Sequence, residues 1–186
     1  MFKPGQIFFT TENDLISNYI RWFEQRTNPL AEWTHCGIII SEDMVNTLDC
    51  HPIAQIVEAT WPCVAKNTTD DYRDIKSKTI ILEHPTPDLI SLNEIMNQYL
   101  GKKYGLIQLF GRAIYKLFKV EIHPLFKGIV CCEFVLDWLK KWVPAAAYID
   151  QDIMDVQQLY NLCIQSGFVV KYLCDYGTET FKEVKE

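Results

Sequence analysis

The segment that most constrains this chain runs from Ile129 to Trp142. Phe134, Val135, Trp138, Leu139 and Trp142 recur at helical spacing, and Pro144 stops the run. One stripe of that helix holds Cys131, Phe134, Val135, Trp138 and Trp142, while Cys132 lies nearer Leu136 and Leu139, so it too can be buried. An element this apolar has to lie against a sheet, with its first residues, two adjacent cysteines, brought up to the strands.

The strands that could supply such a sheet fill the first half. Ile7 to Thr10 opens it, and His35 to Ile40 and Ile53 to Thr60 read as an antiparallel pair. After a loop containing Asn67 to Asp71, Lys78 to Glu83 adds another strand, stopped by Pro85 and Pro87. Asn13-Asp14 can cap a helix with Leu15, Ile16, Tyr19, Ile20 and Phe23 on one side, ending before Asn28-Pro29. Ser91 with Glu94 makes a capping-box pattern for a second helix that Gly101 ends. Tyr104 to Lys119 reads as a basic amphipathic helix; a helix from about Asp152 to Gln165 and a strand near Phe168 to Leu173 follow. With no repeat or linker, residues 1–186 form one α+β domain, a central antiparallel sheet packed by helices.

Composition narrows the function. The 186 residues are 48% hydrophobic and 23% charged, which excludes a disordered chain. Eighteen Lys and Arg against 24 Asp and Glu give a net charge of −6, which speaks against nucleic acid as a partner. No apolar stretch is long enough to cross a bilayer, and Pro4, Gly5 and Gln6 stand where a signal peptide would have its apolar centre, so a cytoplasmic protein is expected. Seven cysteines, without any C-x-x-C, read as reduced thiols. His35-Cys36 and Cys50-His51 are adjacent pairs that strands would split between two faces, so no metal is expected.

Thiol chemistry needs a cysteine, an imidazole to exchange its proton, and a polar group to orient that imidazole. Cys131 and Cys132 begin a helix, whose N-terminal field favours thiolate and whose free N–H groups can hold an oxyanion. Helical phase favours Cys131, and a thiol so placed is expected to alkylate fast near about pH 6. His35 opens its strand, and if Ile40 faces Ile53 then His35 lies opposite Glu58. His51 and His84 read as solvated turn residues; His123, just before the cysteines, is the reserve base. From the residues alone, His35 and Glu58 can equally be a structural histidine and a solvated strand charge.

Taken together, these segments resemble the permuted papain-like cysteine amidohydrolases related to the NlpC cell-wall peptidases, in particular the YiiX/YaeF-like group. The resemblance rests on Pro4-Gly5-Gln6-Ile7-Phe8-Phe9, Trp33-Thr34-His35-Cys36-Gly37-Ile38-Ile39, Ile56-Val57-Glu58-Ala59-Thr60, Gly101 to Gly105, and Cys131-Cys132-Glu133-Phe134-Val135. It implies a circularly permuted NlpC-like, papain-like fold with the nucleophile at a helix N-terminus. The implied catalytic residues are Cys131, His35 and Glu58, acting without a cofactor on an amide bond in a small peptide or a peptidoglycan-derived peptide. The Cys131 N–H is the first oxyanion donor and Tyr104 a candidate for the second, with Cys132 beside the substrate.

Three positions depart from the family pattern: Gln6 where Asp is common, Gly105 where an acid is common, and Cys132 in place of serine. A register shifted by one residue would instead align Cys132 with the nucleophile of lecithin retinol acyltransferase-like proteins. That alternative makes the substrate an acyl lipid, met at a membrane surface through Tyr104 to Lys119. A third reading is a non-catalytic peptide-binding module.

Overall fold

Three consecutive apolar residues, Ile7, Phe8 and Phe9, can all be buried only in a strand covered on both faces, and that strand is the middle of the sheet. In the computed structural model, which describes residues 2–12, 15–41, 44–45, 52–72, 77–105, 128–151, 154–175 and 180–184, it spans Ile7–Thr11 (β1). Helix α1 (Leu15–Thr27) leads to β2 (His35–Ile39), which pairs antiparallel with β1, Phe9 opposite Cys36 and Thr10 opposite His35. A two-stranded ribbon, β3 (Met44–Val45) and β4 (Pro52–Ile53), precedes β5 (Gln55–Ala59) and β6 (Val64–Thr68). A short 3-10 turn, Thr69–Tyr72, then leads towards β7 (Lys78–Glu83).

Helices α2 (Leu89–Tyr99), α3 (Cys131–Leu139) and α4 (Val156–Gln165) come next, followed by β8 (Val169–Asp175) and β9 (Thr180–Glu183). The order β6-β5-β2-β1-β7-β8-β9 makes a seven-stranded sheet, antiparallel at every pairing, and the chain is of mixed α+β class.

Alternation along the strands divides the core. Ile7, Phe9, Cys36, Ile38, Val57 and Leu82 turn to the side where α2, α3 and α4 pack, and Trp138 of α3 is fully buried among them. Its Nε1–H donates to the Asp88 carbonyl at 2.9 Å, tying α3 to the N-terminus of α2. Phe2, Phe8, Ile39, Ile56, Tyr72 and Ile81 form a second cluster on the opposite face. Gly37 belongs to this second side: a Cβ there would stand 2.6 Å from Phe8 Cε1 and 2.8 Å from the Val57 carbonyl, so only glycine lets the Phe8 ring lie over β2.

The sequence-based expectations differ from the structure at several places. The loop expected around Asn67 contains β6, whose polar residues suit a sheet edge wetted on one side. Helix α2 begins before Ser91, because the Asp88 carboxylate accepts from the Ile90 and Ser91 amides at 3.1 Å and caps it there. Helix α3 ends at Leu139, so Trp142 lies beyond it, and α4 starts at Val156 under an Asp155 cap.

The β2–β5 register is offset by two residues: Ile40 N–H bonds to Gln55, and Gly37 rather than His35 is opposite Glu58. Of the basic amphipathic helix, residues 106–119 lie outside the described residues, as do His51 and His123, and Tyr104 is in a one-residue parallel bridge with Ile129. His84, expected as a solvated turn residue, is half-buried against Trp142 and Phe168.

Candidate active site

A two-residue offset preserves parity, so His35 and Glu58 still share a sheet face, now as diagonal neighbours. A glutamate is long enough to span that diagonal: His35 Nε2 and Glu58 Oε2 are 2.7 Å apart, with both side chains buried. The residue before His35 fixes where β2 begins. Thr34 N–H donates to the Thr10 carbonyl at 3.0 Å, and its Oγ1 accepts from Glu12 N–H at 3.1 Å. The imidazole then stacks on Tyr72 and tilts against Phe8, ring centroids 6.3 and 6.1 Å away.

Two residues that the sequence did not single out complete this carboxylate's surroundings. Asn67, on the same face of β6 and diagonal to Glu58, donates Nδ2–H to Oε1 at 2.7 Å, and the Tyr72 hydroxyl donates to Oε2. Glu58 is thus saturated by three donors. Burial would raise its pKa, but His35, Asn67 and Tyr72 outweigh that, and the carboxyl is held below its ordinary range. Burial likewise pulls the His35 imidazole down, while the Cys131 sulfur and the Glu58 carboxylate push it up; the partners prevail, and His35 lies well above the usual imidazole range.

Cys131 is the first residue of α3. The Glu133 carboxylate turns back to accept from Val130 N–H at 3.1 Å, which holds the chain at the corner where Cys131 emerges. As the first helical residue, Cys131 has an N–H with no acceptor inside its helix. Charge on its sulfur acts on the His35 imidazole, whose Nε2 is taken by Glu58, leaving Nδ1 as the ring nitrogen open to a proton from the thiol. The Cys132 Sγ–H donates to the Met154 carbonyl at 3.2 Å.

The electrostatics of the thiol reverse the expectation drawn from the helix N-terminus. A hydrogen bond with Cys132 draws the Cys131 pKa down, but its hydrogen bond with Cys36 and its burial draw it up further, and the net direction is upward. With Cys131 only 3% exposed and His35 only 8%, the site is closed.

Tyr104 packs against the helix-side core and feels the charge of these thiols. Burial, and then charge on Cys131 and Cys132, would raise its pKa well above the usual phenol value, so its hydroxyl stays a donor. The chain reaches it through backbone bonds: Gly105 N–H donates to Ile129 at 3.0 Å and Ile129 N–H to Lys103 at 2.9 Å. The two glycines of this crossing touch, since a Cβ on Gly128 would stand 2.4 Å from the Gly105 Cα. Any side chain in the direction of Gly128's Cβ would push the Tyr104 strand off the entrance to α3.

Gly105 lies against Gly128 at that crossing, and Cys132 satisfies the Met154 carbonyl. Gln6 is buried, accepting from Lys3 N–H at 2.8 Å and donating to Glu83 at 3.1 Å. Among the described residues no group of three His, Cys, Asp or Glu is placed to hold a metal ion, and no helix is long and apolar enough to cross a membrane. No protein-family model matches the chain, and no curated protein matches it.

Proposed function

We propose that the chain is a permuted papain-like thiol hydrolase that cleaves an amide bond in a small peptide or a peptidoglycan-derived peptide. One observation carries this reading: a buried carboxylate holds an imidazole at 2.7 Å, and the imidazole is within the electrostatic reach of a cysteine at a helix N-terminus. In that role His35 Nδ1 takes the Cys131 proton as the sulfur attacks the carbonyl carbon. Glu58, gripped by Asn67 and Tyr72, fixes the ring and stabilises the imidazolium that forms. The Cys131 N–H meets the oxyanion, with the Tyr104 hydroxyl as the candidate second donor. His35 then returns the proton to the leaving amine, and water releases the acyl group by the same steps.

The upward direction of both pKa values means that at neutral pH the resting site keeps both protons, so turnover rises as the medium becomes alkaline. The engagement of Cys132 with Met154 favours Cys131 over the acyltransferase-like register.

The test is mass-spectrometric analysis of a panel of small peptides, cell-wall peptides and lipid esters incubated with the protein. Amide cleavage is expected, abolished in Cys131→Ala, retained in Cys132→Ala, and weakened less by Glu58→Gln than by His35→Ala. Amide cleavage that survives Cys131→Ala, or turnover of lipid esters alone, overturns the reading.

A further inference from the structure

Three strand ends lie side by side at one end of the sheet. Thr11 closes β1, Lys78 opens β7 and Asp175 closes β8; each is directly opposite its neighbour, so the three side chains share one face. Arg21 and Gln25, one turn apart on α1, and the segment Pro29 to Glu32 complete the walls of a cleft there. Its volume of about 420 Å³ is within the range of small-ligand sites. The hydrolytic reading gives these residues no part.

Backbone bonds position these walls. Arg21 Nη2–H donates to the Glu12 carbonyl at 2.8 Å and Gln25 Nε2–H to the Ala31 carbonyl at 3.1 Å. Ala31 N–H donates to the Asn28 carbonyl at 2.9 Å, and Glu32 N–H reaches Gln157 Oε1 at 3.0 Å. A carbonyl orients the guanidinium without cancelling its charge. Among the described residues, Arg21, Lys78 and Glu32 each lack an ion-pair partner within 4.0 Å. With Asp175 the cleft therefore presents two cations and two carboxylates.

We propose that this cleft binds a small zwitterionic peptide, with the peptide carboxylate on Arg21 and Lys78 and its ammonium group on Glu32 and Asp175. The balance of charge selects the class. A phosphate or nucleotide would meet two carboxylates and a polyamine two cations, whereas a ligand carrying both signs is matched by all four side chains. A guanidinium offers paired N–H donors that suit a carboxylate. Gln25 spends its amide N–H on Ala31, which leaves its oxygen to accept from a peptide N–H, a group that a single amino acid does not have. Lys78 and Glu32 are exposed, so water and salt screen each contact and the affinity is modest and salt-sensitive. The inference needs neither Cys131 nor His35 and does not rest on the hydrolytic reading.

The experiment is a titration of the intact, isotope-labelled protein with alanyl-alanine at low salt, followed by the NMR shifts of backbone amides in the wild type and in Cys131→Ala. Expected are saturable shifts centred on Thr11, Gln25, Ala31 and Glu32, with the same affinity in both proteins. N-acetyl-alanyl-alanine and alanyl-alaninamide should each bind about tenfold more weakly, since each lacks one charge-assisted contact. Lys78→Gln should narrow the gap between the free peptide and the amide, and Glu32→Gln the gap between the free and the acetylated peptide; both side chains are exposed, so neither change disturbs the core. Absence of saturation, shifts centred on His35, Tyr104 and Cys131 instead, capped peptides that bind as well as the free one, or gaps that neither variant alters overturn the proposal. Release of free alanine by the wild type alone bears on the hydrolytic reading, and binding by Cys131→Ala still decides this one.

Discussion

Replacing Glu58 by glutamine removes one charge from a buried network and leaves its shape. The amide oxygen can still face His35 and Tyr72, and Asn67 can rotate its own amide to accept from the new NH2 group. What is lost is charge assistance in the hydrogen bonds from Asn67 and Tyr72, each falling from about 1.5–3 kcal/mol to about 0.5–1.5 kcal/mol, while the bond from the His35 imidazolium stays charge-assisted. The destabilisation is therefore about 2–3 kcal/mol, or roughly 4–12 °C in Tm for a chain of this size.

Its pH dependence has two edges. Glu58 is depressed, so its contribution is present above the unfolded carboxyl value of 4.5 and disappears as pH falls through the lower folded value. His35 is raised, so its contribution is complete below 6.5 and disappears as pH rises through its higher folded value. The difference in Tm between wild type and Glu58→Gln should therefore be greatest from about pH 5 to 6 and shrink on both sides. Thermal unfolding followed by circular dichroism from acid to alkaline pH measures it; a difference that is absent, or constant across the range, refutes the argument.

Removing the donor with Asn67→Ala should cost about 1.5–3 kcal/mol in urea unfolding and move the acid edge of stability upward, because Glu58 loses a partner that favours its charged form. Gly37→Ala should cost about 1–3 kcal/mol by driving a Cβ into Phe8, and chemical shifts of the His35 ring should move with it. Iodoacetamide should label the half-buried Cys63 faster than Cys131 at neutral pH, with Cys131 gaining as the medium is made alkaline; peptide mapping after brief exposure decides this.

The elements that the sequence disclosed are those whose local signals agree with their surroundings. Lys78–Glu83 matches its expected limits because an apolar run is stopped by two nearby prolines, and the start of α3 follows from a dense apolar period. Strand β6 stayed hidden because Lys66, Asn67 and Thr68 carry no apolar alternation; its existence depends on pairing with β5, a non-local fact. The same non-locality explains the site. Parity placed His35 and Glu58 on one face despite the shifted register, but Asn67 and Tyr72 have no nearby motif that marks them as partners of Glu58. The shift itself arises because Pro52–Ile53 pairs with Met44–Val45, leaving Gln55 to begin the main strand. The direction of the thiol pKa was also illegible, since the helix N-terminus is visible in sequence and the contact with Cys36 is not.

Strand β6 is the last in its sheet, its outer side bonded at Val64 to Gly101 and Lys102, yet it and the turn after it supply both residues that brace Glu58. Opening such a margin takes less free energy than opening β1 and β2 at the centre. The chain should consequently have two melting points: a lower one at which β6 separates and the imidazole loses its fixed orientation, and a higher one at which the sheet unfolds. Between them lies a temperature range in which the central strands stay paired while Glu58 no longer holds His35 in place, and edge amides in β6 would exchange with deuterium there while those of β1 remain protected.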